Sequence, residues 1–440
     1  MRKPAHDISI FRERRQRLAE KIPGGALISP AAPEFIRNND IRHDYRQDSN
    51  LFYLTGFEEP ASVLVFRPGK DPETAMFVRN KHVLKETWEG FRYGIEGTQS
   101  DFGIDKAYPI NDFEKVAPKL LADVDRVYYT LFHDVGFDER VARVVMAVKD
   151  MRRRSGKGVL PISDAAPLVG EMRLIKSDHE IETLTNACRV TAEAHMELMK
   201  YIQPGMSERQ IHGRFVYEVM KRGAAREGYG TIVAGGPSAT TLHYVFNDQV
   251  LKSGELVLVD AGGEYDFYTG DITRTYPVNG QFSGTQRRLY QKVLNVHKTI
   301  IDIVKPGLRF NQLQEAAVDG LVDVMLEEGL LKGPKDQLIE KGEFRKYYPH
   351  GVSHWLGMDV HDSGMIEVNG KPRPLEPGMA FTVEPGLYIP YNDETAPVEV
   401  RGIGIRIEDN ILVTVGGHSN MTEGAVKEVE ELEALIGSGV

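Results

Sequence analysis

The chain has 440 residues, 41% hydrophobic and 27% charged, a globular composition too long for one core, which predicts two or three domains. A formal net charge of −10 argues against a nucleic-acid partner held on a broad basic surface. A single cysteine, Cys188, excludes an intrachain disulfide.

The N-terminal stretch MRKPAHDISIFRERRQRLAEKI lacks the apolar core of a signal peptide, and no window approaches eighteen apolar residues. No membrane association is expected, and the cytoplasm is the expected location. The runs GALISP (25–30), SVLVFRPG (62–69), AMFVRN (75–80) and VYYTLF (127–132) are short, β-rich and closed by Gly, Pro or polar residues. Helical stretches lie between and after them, 137–151 among these, so residues 1–172 are expected to form an α/β domain. The basic run MRRRSGKG (151–158) reads as a solvated loop.

A second domain, 173–440, is expected to open with RLIKSDHEIETL. Ser177 and Glu180 form a capping box there, and Ile181, Leu184, Cys188 and Thr191 follow at helical spacing. Cys188 reads as a small buried residue of that helix. The helix is expected to stop before Pro204-Gly205. Two echoes then suggest an internal duplication. IQPGMSERQIHGRFVYEVMKRG (202–223) resembles IVKPGLRFNQLQEAAVDGLVDVM (303–325), with Pro204 on Pro306 and Gln210 on Gln312 at one spacing. GELVLVD (254–260) resembles GMAFTVE (378–384), each an apolar strand that ends in an acid.

An ionised carboxylate at the end of a buried strand must be paired or metal-bound. Asp260 ends one such strand, the chain is expected to turn through Gly262-Gly263, and Asp271 returns with Thr273 and Thr275 on one face. Glu384 ends the second strand, and Glu408 follows in GIGIRIEDNILVT, where Arg406 alternates with it and is placed to hold a neighbouring carboxylate. Each acid alone reads as a solvated or salt-bridged strand-end residue. Four acids with one imidazole make a set suited to two divalent ions. The imidazole would come from HGVSHWLGMDVHD (350–362), whose Gly351 and Gly357 weaken a helix. Its three histidines are open to roles as ligands, catalytic groups, substrate contacts or loop residues.

These blocks, together with YRQDSNLFYLTGFEEP (45–60), LEPGMAFTVEPGLYI (375–389) and RGIGIRIEDNILVT (401–414), resemble the aminopeptidase P family of pita-bread metallopeptidases from end to end. The resemblance implies a creatinase/prolidase-type α/β N-terminal domain for oligomerisation and substrate access. It also implies an α+β pita-bread catalytic domain with a pseudo-twofold internal repeat. It implies two divalent ions per subunit, manganese first and cobalt, zinc or iron(II) as alternatives. Asp260 would hold one, Asp271 and Glu408 would bridge both, and His354 with Glu384 would complete the second.

By the same resemblance His361 would stabilise the oxyanion, Glu384 would shuttle the proton of a metal-bridging hydroxide, and His350 would line a proline pocket. His243 and Tyr388 would lie near the substrate, Arg406 would take the place of a family arginine, and Trp88 would reach the cleft of a neighbouring subunit. The implied activity is release of the first residue from peptides that begin Xaa-Pro, by a homodimer or homotetramer. The alternatives are a prolidase with organophosphate side activity and, less favoured, a non-catalytic pita-bread binding module without stoichiometric metal. Methionine aminopeptidase lacks such an N-terminal domain, and creatinase-like enzymes lack the ligands.

Overall fold

The computed structural model describes residues 6–439, and the chain divides into one compact unit ending at Met172 and another beginning at Arg173. The first unit is built on a six-stranded mixed sheet. Its strands are β1 (Gly25–Pro30), β2 (Val63–Phe66), β3 (Thr74–Val78), β4 (Lys106–Pro109), β5 (Arg126–Tyr128) and β6 (Ile162–Ser163). They lie in the order β4-β3-β2-β1-β5-β6. The three central strands are buried along almost their whole length, as expected of strands covered on both faces. Short helix α1 (Val83–Glu89) carries Trp88 on its exposed surface, and no residue of α1 is buried.

Helices α2 (Phe113–Leu121) and α3 (Val135–Met151) contribute Phe113, Leu121, Val141 and Val148 to the core of this unit. The run MRRRSGKG departs from the solvated-loop expectation at its second residue. Arg152 is buried, and its guanidinium donates to the carbonyls of Ala122 (2.8 Å), Leu121 (3.1 Å) and Val124. It satisfies backbone acceptors that the end of α2 leaves open.

In the second unit the suspected duplication is visible as repeated backbone geometry. Helix α4 (Asp178–Tyr201) begins where expected, with Glu180 accepting the Ser177 N–H at 3.1 Å. It is followed by α5 (Glu208–Lys221), and in the second half α6 (Gly284–Asp302) is followed by α7 (Phe310–Glu327). Between the helices of each pair, Gly205 and Gly307 take φ of 93° and 85°, where a side chain would be strained. Gln210 accepts the Ser207 N–H at 2.8 Å, and Gln312 accepts the Arg309 N–H at 2.9 Å. Gly205 donates to Leu251 O, and Gly307 to Leu375 O, both at 2.8 Å.

Each helix pair backs a three-stranded antiparallel sheet. The first contains β7 (Ile232–Gly235), β8 (Leu256–Ala261) and β11 (Ile272–Pro277), and between the last two runs a small hairpin of β9 (Gly263–Tyr265) and β10 (Tyr268–Thr269). The second contains β12 (Ala380–Val383), β15 (Asp409–Thr414) and β16 (Gly417–Asn420), with β13 (Gly386–Tyr388) and β14 (Gly404–Arg406) paired beside it. The expected turn at Gly262-Gly263 is not one. The chain continues into β9 and turns at Asp266 and Phe267, both at positive φ. Gly262 is needed for close approach instead, because a Cβ there would collide with the Gly270 carbonyl oxygen. The halves meet where Glu408 N–H donates to Thr273 O at 3.1 Å. Among the described residues no helix is long and apolar enough to cross a membrane.

Candidate active site

The acids that end the strands converge at this seam. Asp260 near the end of β8 stands opposite Thr273 of β11, and Asp271 lies one residue before β11. Tyr229 O–H reaches Asp260 Oδ1 at 2.6 Å and also lies against Asp271 Oδ1, so both carboxylates face the same side. Asn410 fixes the Asp271 backbone with its amide, accepting from Asp271 N at 2.9 Å and donating to Asp271 O at 2.6 Å. Cys188, fully buried, donates to the same amide oxygen at 3.3 Å, and burial pushes its thiol well above the ordinary range. It is a packing residue.

From the second half come Glu384, directly after β12, and Glu408, directly before β15. Thr273 O–H donates to Glu408 Oε2 at 2.6 Å. Arg406 of β14 donates to Asp260 Oδ2 at 2.5 Å, to Thr273 Oγ1 at 3.0 Å and to the Tyr388 hydroxyl at 3.0 Å. The expectation that Arg406 holds a neighbouring acid is met, and that acid is Asp260.

The loop 350–362 is not helical, and its histidines separate by what they face. His354 Nδ1 lies 3.0 Å from the Trp355 carbonyl and must carry its proton there, which leaves Nε2 free. That Nε2 lies 3.4 Å from Asp271 Oδ2 and 3.5 Å from Glu384 Oε1. His350 Nδ1 donates to Gly351 O at 2.8 Å, and its Nε2 receives the Tyr388 O–H at 2.8 Å. Arg406, Tyr388 and His350 thus form one hydrogen-bonded relay. Burial lowers the His350 pKa to about 4 and keeps the ring neutral. His361 packs edge-on to His354, with centroids 4.4 Å apart, and burial and His354 together lower its pKa.

A cavity of about 550 Å³ is lined by Asp260, Asp271, Glu384, Glu408, Arg406 and His354, with His243, His350 and His361 around them. Tyr388 joins through its hydroxyl. Trp88 lies in the first unit and is not among the residues brought together here.

The donor set fits cations. Four carboxylates face one permanent cation, Arg406, and ligand atoms of Asp271, His354 and Glu408 lie within 4.8 Å of one another. Without an ion the acids resist ionising together. Burial, with Asp271 and Glu384 nearby, holds Glu408 well above the carboxylate range, and burial raises Glu384 to about 7. Burial opposes a charge on His354, but Asp271 and Glu384 outweigh it and carry its pKa to about 9. Once their protons are displaced, four carboxylates and an imidazole nitrogen turned toward them are what divalent cations bind.

The comparisons agree with this chemistry. The profile described as "Metallopeptidase family M24" matches residues 182–415, and "Aminopeptidase P, N-terminal domain" matches residues 11–128. The chain belongs to metallopeptidase family M24. It is 40% identical to the Xaa-Pro aminopeptidase of Escherichia coli (strain K12) over 97% of both chains. Its fold is similar to that of Pseudomonas aeruginosa aminopeptidase PepP, with a TM-score of 0.94 and 41% identity over 98% of each chain. It also matches zinc-substituted E. coli aminopeptidase P in complex with product, with a TM-score of 0.92 and 39% identity over 98% of each chain. The expected combination of an α/β N-terminal domain and a pita-bread domain is therefore the fold of this M24 chain.

Two members of this M24 site were absent from the residue-level reading. Tyr229 had only its flanking glycines, Gly228 and Gly230, to distinguish it from a loop aromatic. Asn410 looked like an ordinary polar residue after two acids, and its partner Asp271 is remote in sequence.

Proposed function

We propose that this M24 chain removes the N-terminal residue from peptides whose second residue is proline. The observation that carries this reading is the meeting of Asp260, Asp271, Glu384 and Glu408 with His354 Nε2 in one cavity, in a chain similar to Xaa-Pro aminopeptidases over nearly its whole length. Asp260 would hold one cation, Asp271 and Glu408 would be shared by two, and His354 with Glu384 would complete the second. When bound, two divalent cations, manganese first, make a water acidic near neutral pH and polarise the scissile carbonyl.

The residues of the chain do the rest. Glu384 takes the proton of the attacking water and delivers it to the proline nitrogen, a poor leaving group until protonated. His361 donates an N–H to the carbonyl oxygen as negative charge develops there. His350, held by Tyr388, walls the proline pocket, and Leu242 and Val245 supply apolar surface in the same cavity. His243 contacts the peptide, and Arg406 keeps Asp260 aimed at its cation. Trp88, exposed on α1, serves the cleft of a partner subunit in a cytoplasmic homodimer or homotetramer built through the first unit.

The test compares an Xaa-Pro dipeptide with an Xaa-Pro-Xaa tripeptide, with added manganese and with chelator. Chelator-sensitive release of the first residue from the tripeptide is expected. Cleavage confined to the dipeptide would instead make the chain a prolidase.

A second expectation concerns protons. Metal ligands must be deprotonated to bind, whereas in the ion-free site His354 keeps its proton up to about pH 9 and Glu384 up to about pH 7. Metal loading at pH 7 therefore releases at least about one proton, and apparent affinity weakens as the pH falls from 9. Calorimetric titration in buffers of different ionisation enthalpy measures the release. Loading without proton release contradicts the ligand assignment of His354.

A further inference from the structure

His361 makes no hydrogen bond through its ring among the described residues, and its only recorded ring contact is with His354. Its position is therefore set by its backbone, and that backbone is clamped on both sides. Arg173 donates through one guanidinium nitrogen to Asp359 Oδ2 at 2.6 Å and to Asp362 Oδ1. Lys176 Nζ lies 3.2 Å from the other Asp362 oxygen. The side chains of Arg173, Lys176 and Asp362 are 2%, 1% and 1% exposed, so these charges have exchanged water for each other. The loop folds tightly onto the cluster, since Asp362 N–H donates to Trp355 O at 2.9 Å and a Cβ on Gly357 would collide with Asp362 Oδ2.

We infer that Arg173 is a positioning residue for catalysis, holding Asp359 and Asp362 so that His361 meets the carbonyl oxygen of the substrate. Arg173 is not among the residues that line the cavity; it acts through the loop that carries His361. The inference rests on the reading of His361 as the group that stabilises the oxyanion. A displacement of about 1 Å at such a group costs on the order of 100-fold in rate.

The experiment is a double-mutant cycle on kcat in the full-length, metal-loaded enzyme, with Arg173→Gln and His361→Ala made singly and together. Arg173→Gln is expected to lower kcat about 10- to 100-fold with little change in KM and unchanged metal content. On the His361→Ala background it should cost nothing further, because the group it positions is gone. Arg173→Lys should restore only part of the rate, since an ammonium lacks the planar fork. If Arg173→Gln does not fold, Asp359→Asn provides the same cycle, because that residue is 39% exposed and its loss removes one arm of the clamp. Additive losses in the double variant, or an Arg173→Gln enzyme with unchanged kcat, overturn the inference alone. An unchanged kcat in His361→Ala overturns the reading of His361 and the inference with it.

Discussion

Replacing Glu384 by Gln lowers kcat on an Xaa-Pro-Xaa peptide by about 10²–10⁴-fold, the range a positioned acid-base group supplies. The carboxylate sits directly after β12, with His354 Nε2 at 3.5 Å and His350 Nδ1 at 3.8 Å. In the ion-free cavity burial raises its pKa to about 7, against the pull of His354 and Arg406. Glutamine keeps the shape and one acceptor oxygen but cannot receive the proton of water. Metal analysis beside the kinetics separates the two roles of this side chain. A variant that keeps both cations and full kcat would end the assignment of Glu384 as the shuttle.

The largest expected loss of stability is at Arg274. This guanidinium is 0% exposed, and each of its five N–H groups has an acceptor. They are Val426 O at 3.1 Å, Thr273 O at 3.0 Å, Glu408 O at 2.5 Å, Asp409 Oδ1 at 2.6 Å and Ala425 O at 2.8 Å. Arg274→Met would leave the buried carboxylate of Asp409 with Lys427 as its close cation at 2.8 Å, beside donors from Asn420 at 2.8 Å and Thr422 at 2.9 Å, and would leave the carbonyls of Val426, Glu408 and Ala425 short of a donor. Breaking a buried pair from one side costs about 3–5 kcal/mol.

Burial would raise the Asp409 pKa, yet Arg274 and Lys427 hold it below the carboxylate range. A depressed carboxylate contributes stability that is complete above its unfolded pKa and is lost as the pH falls through its folded one. The gap between variant and parent should therefore narrow below about pH 4. Unfolding of both proteins across that pH range measures it, and a loss under about 1 kcal/mol at pH 7 would contradict the accounting.

Local chemistry made much of this legible in the sequence. The Ser177–Glu180 box, the two Pro-Gly turns and the apolar runs that end in Asp260 and Glu384 are written in consecutive residues, and the structure keeps all of them. The partners of those residues were less legible, because pairing across the fold leaves no periodic trace. Arg173 reaches Asp362 across 189 positions, and Arg406 reaches Asp260 across 146. Arg152 looked like part of a solvated basic run because its acceptors are main-chain carbonyls that any sequence would supply. The histidines of the 350–362 loop were inseparable by spacing, since what distinguishes His354 is the carbonyl under its Nδ1. Their separate roles came from family resemblance, and the geometry now gives each a different set of neighbours.

A peptide runs in one direction, whereas the sheets that frame this cavity recur in both halves of the unit. Val257 pairs with Gly235 in the first half and Phe381 bridges Trp355 in the second, and Val257 and Phe381 stand at the same spacing that separates Gly254 from Gly378. A few residues beyond Gly235 and Trp355 the chain delivers a histidine to the cavity, His243 from one half and His361 from the other. The two histidines thus enter one cavity from segments of different conformation, a 3₁₀ turn at Gly236–Thr240 before His243 and an irregular loop before His361. Among the described residues, the hydrogen bonds that fix the 350–362 loop include none from the 236–243 segment, so one side of the cavity can be varied without releasing the other.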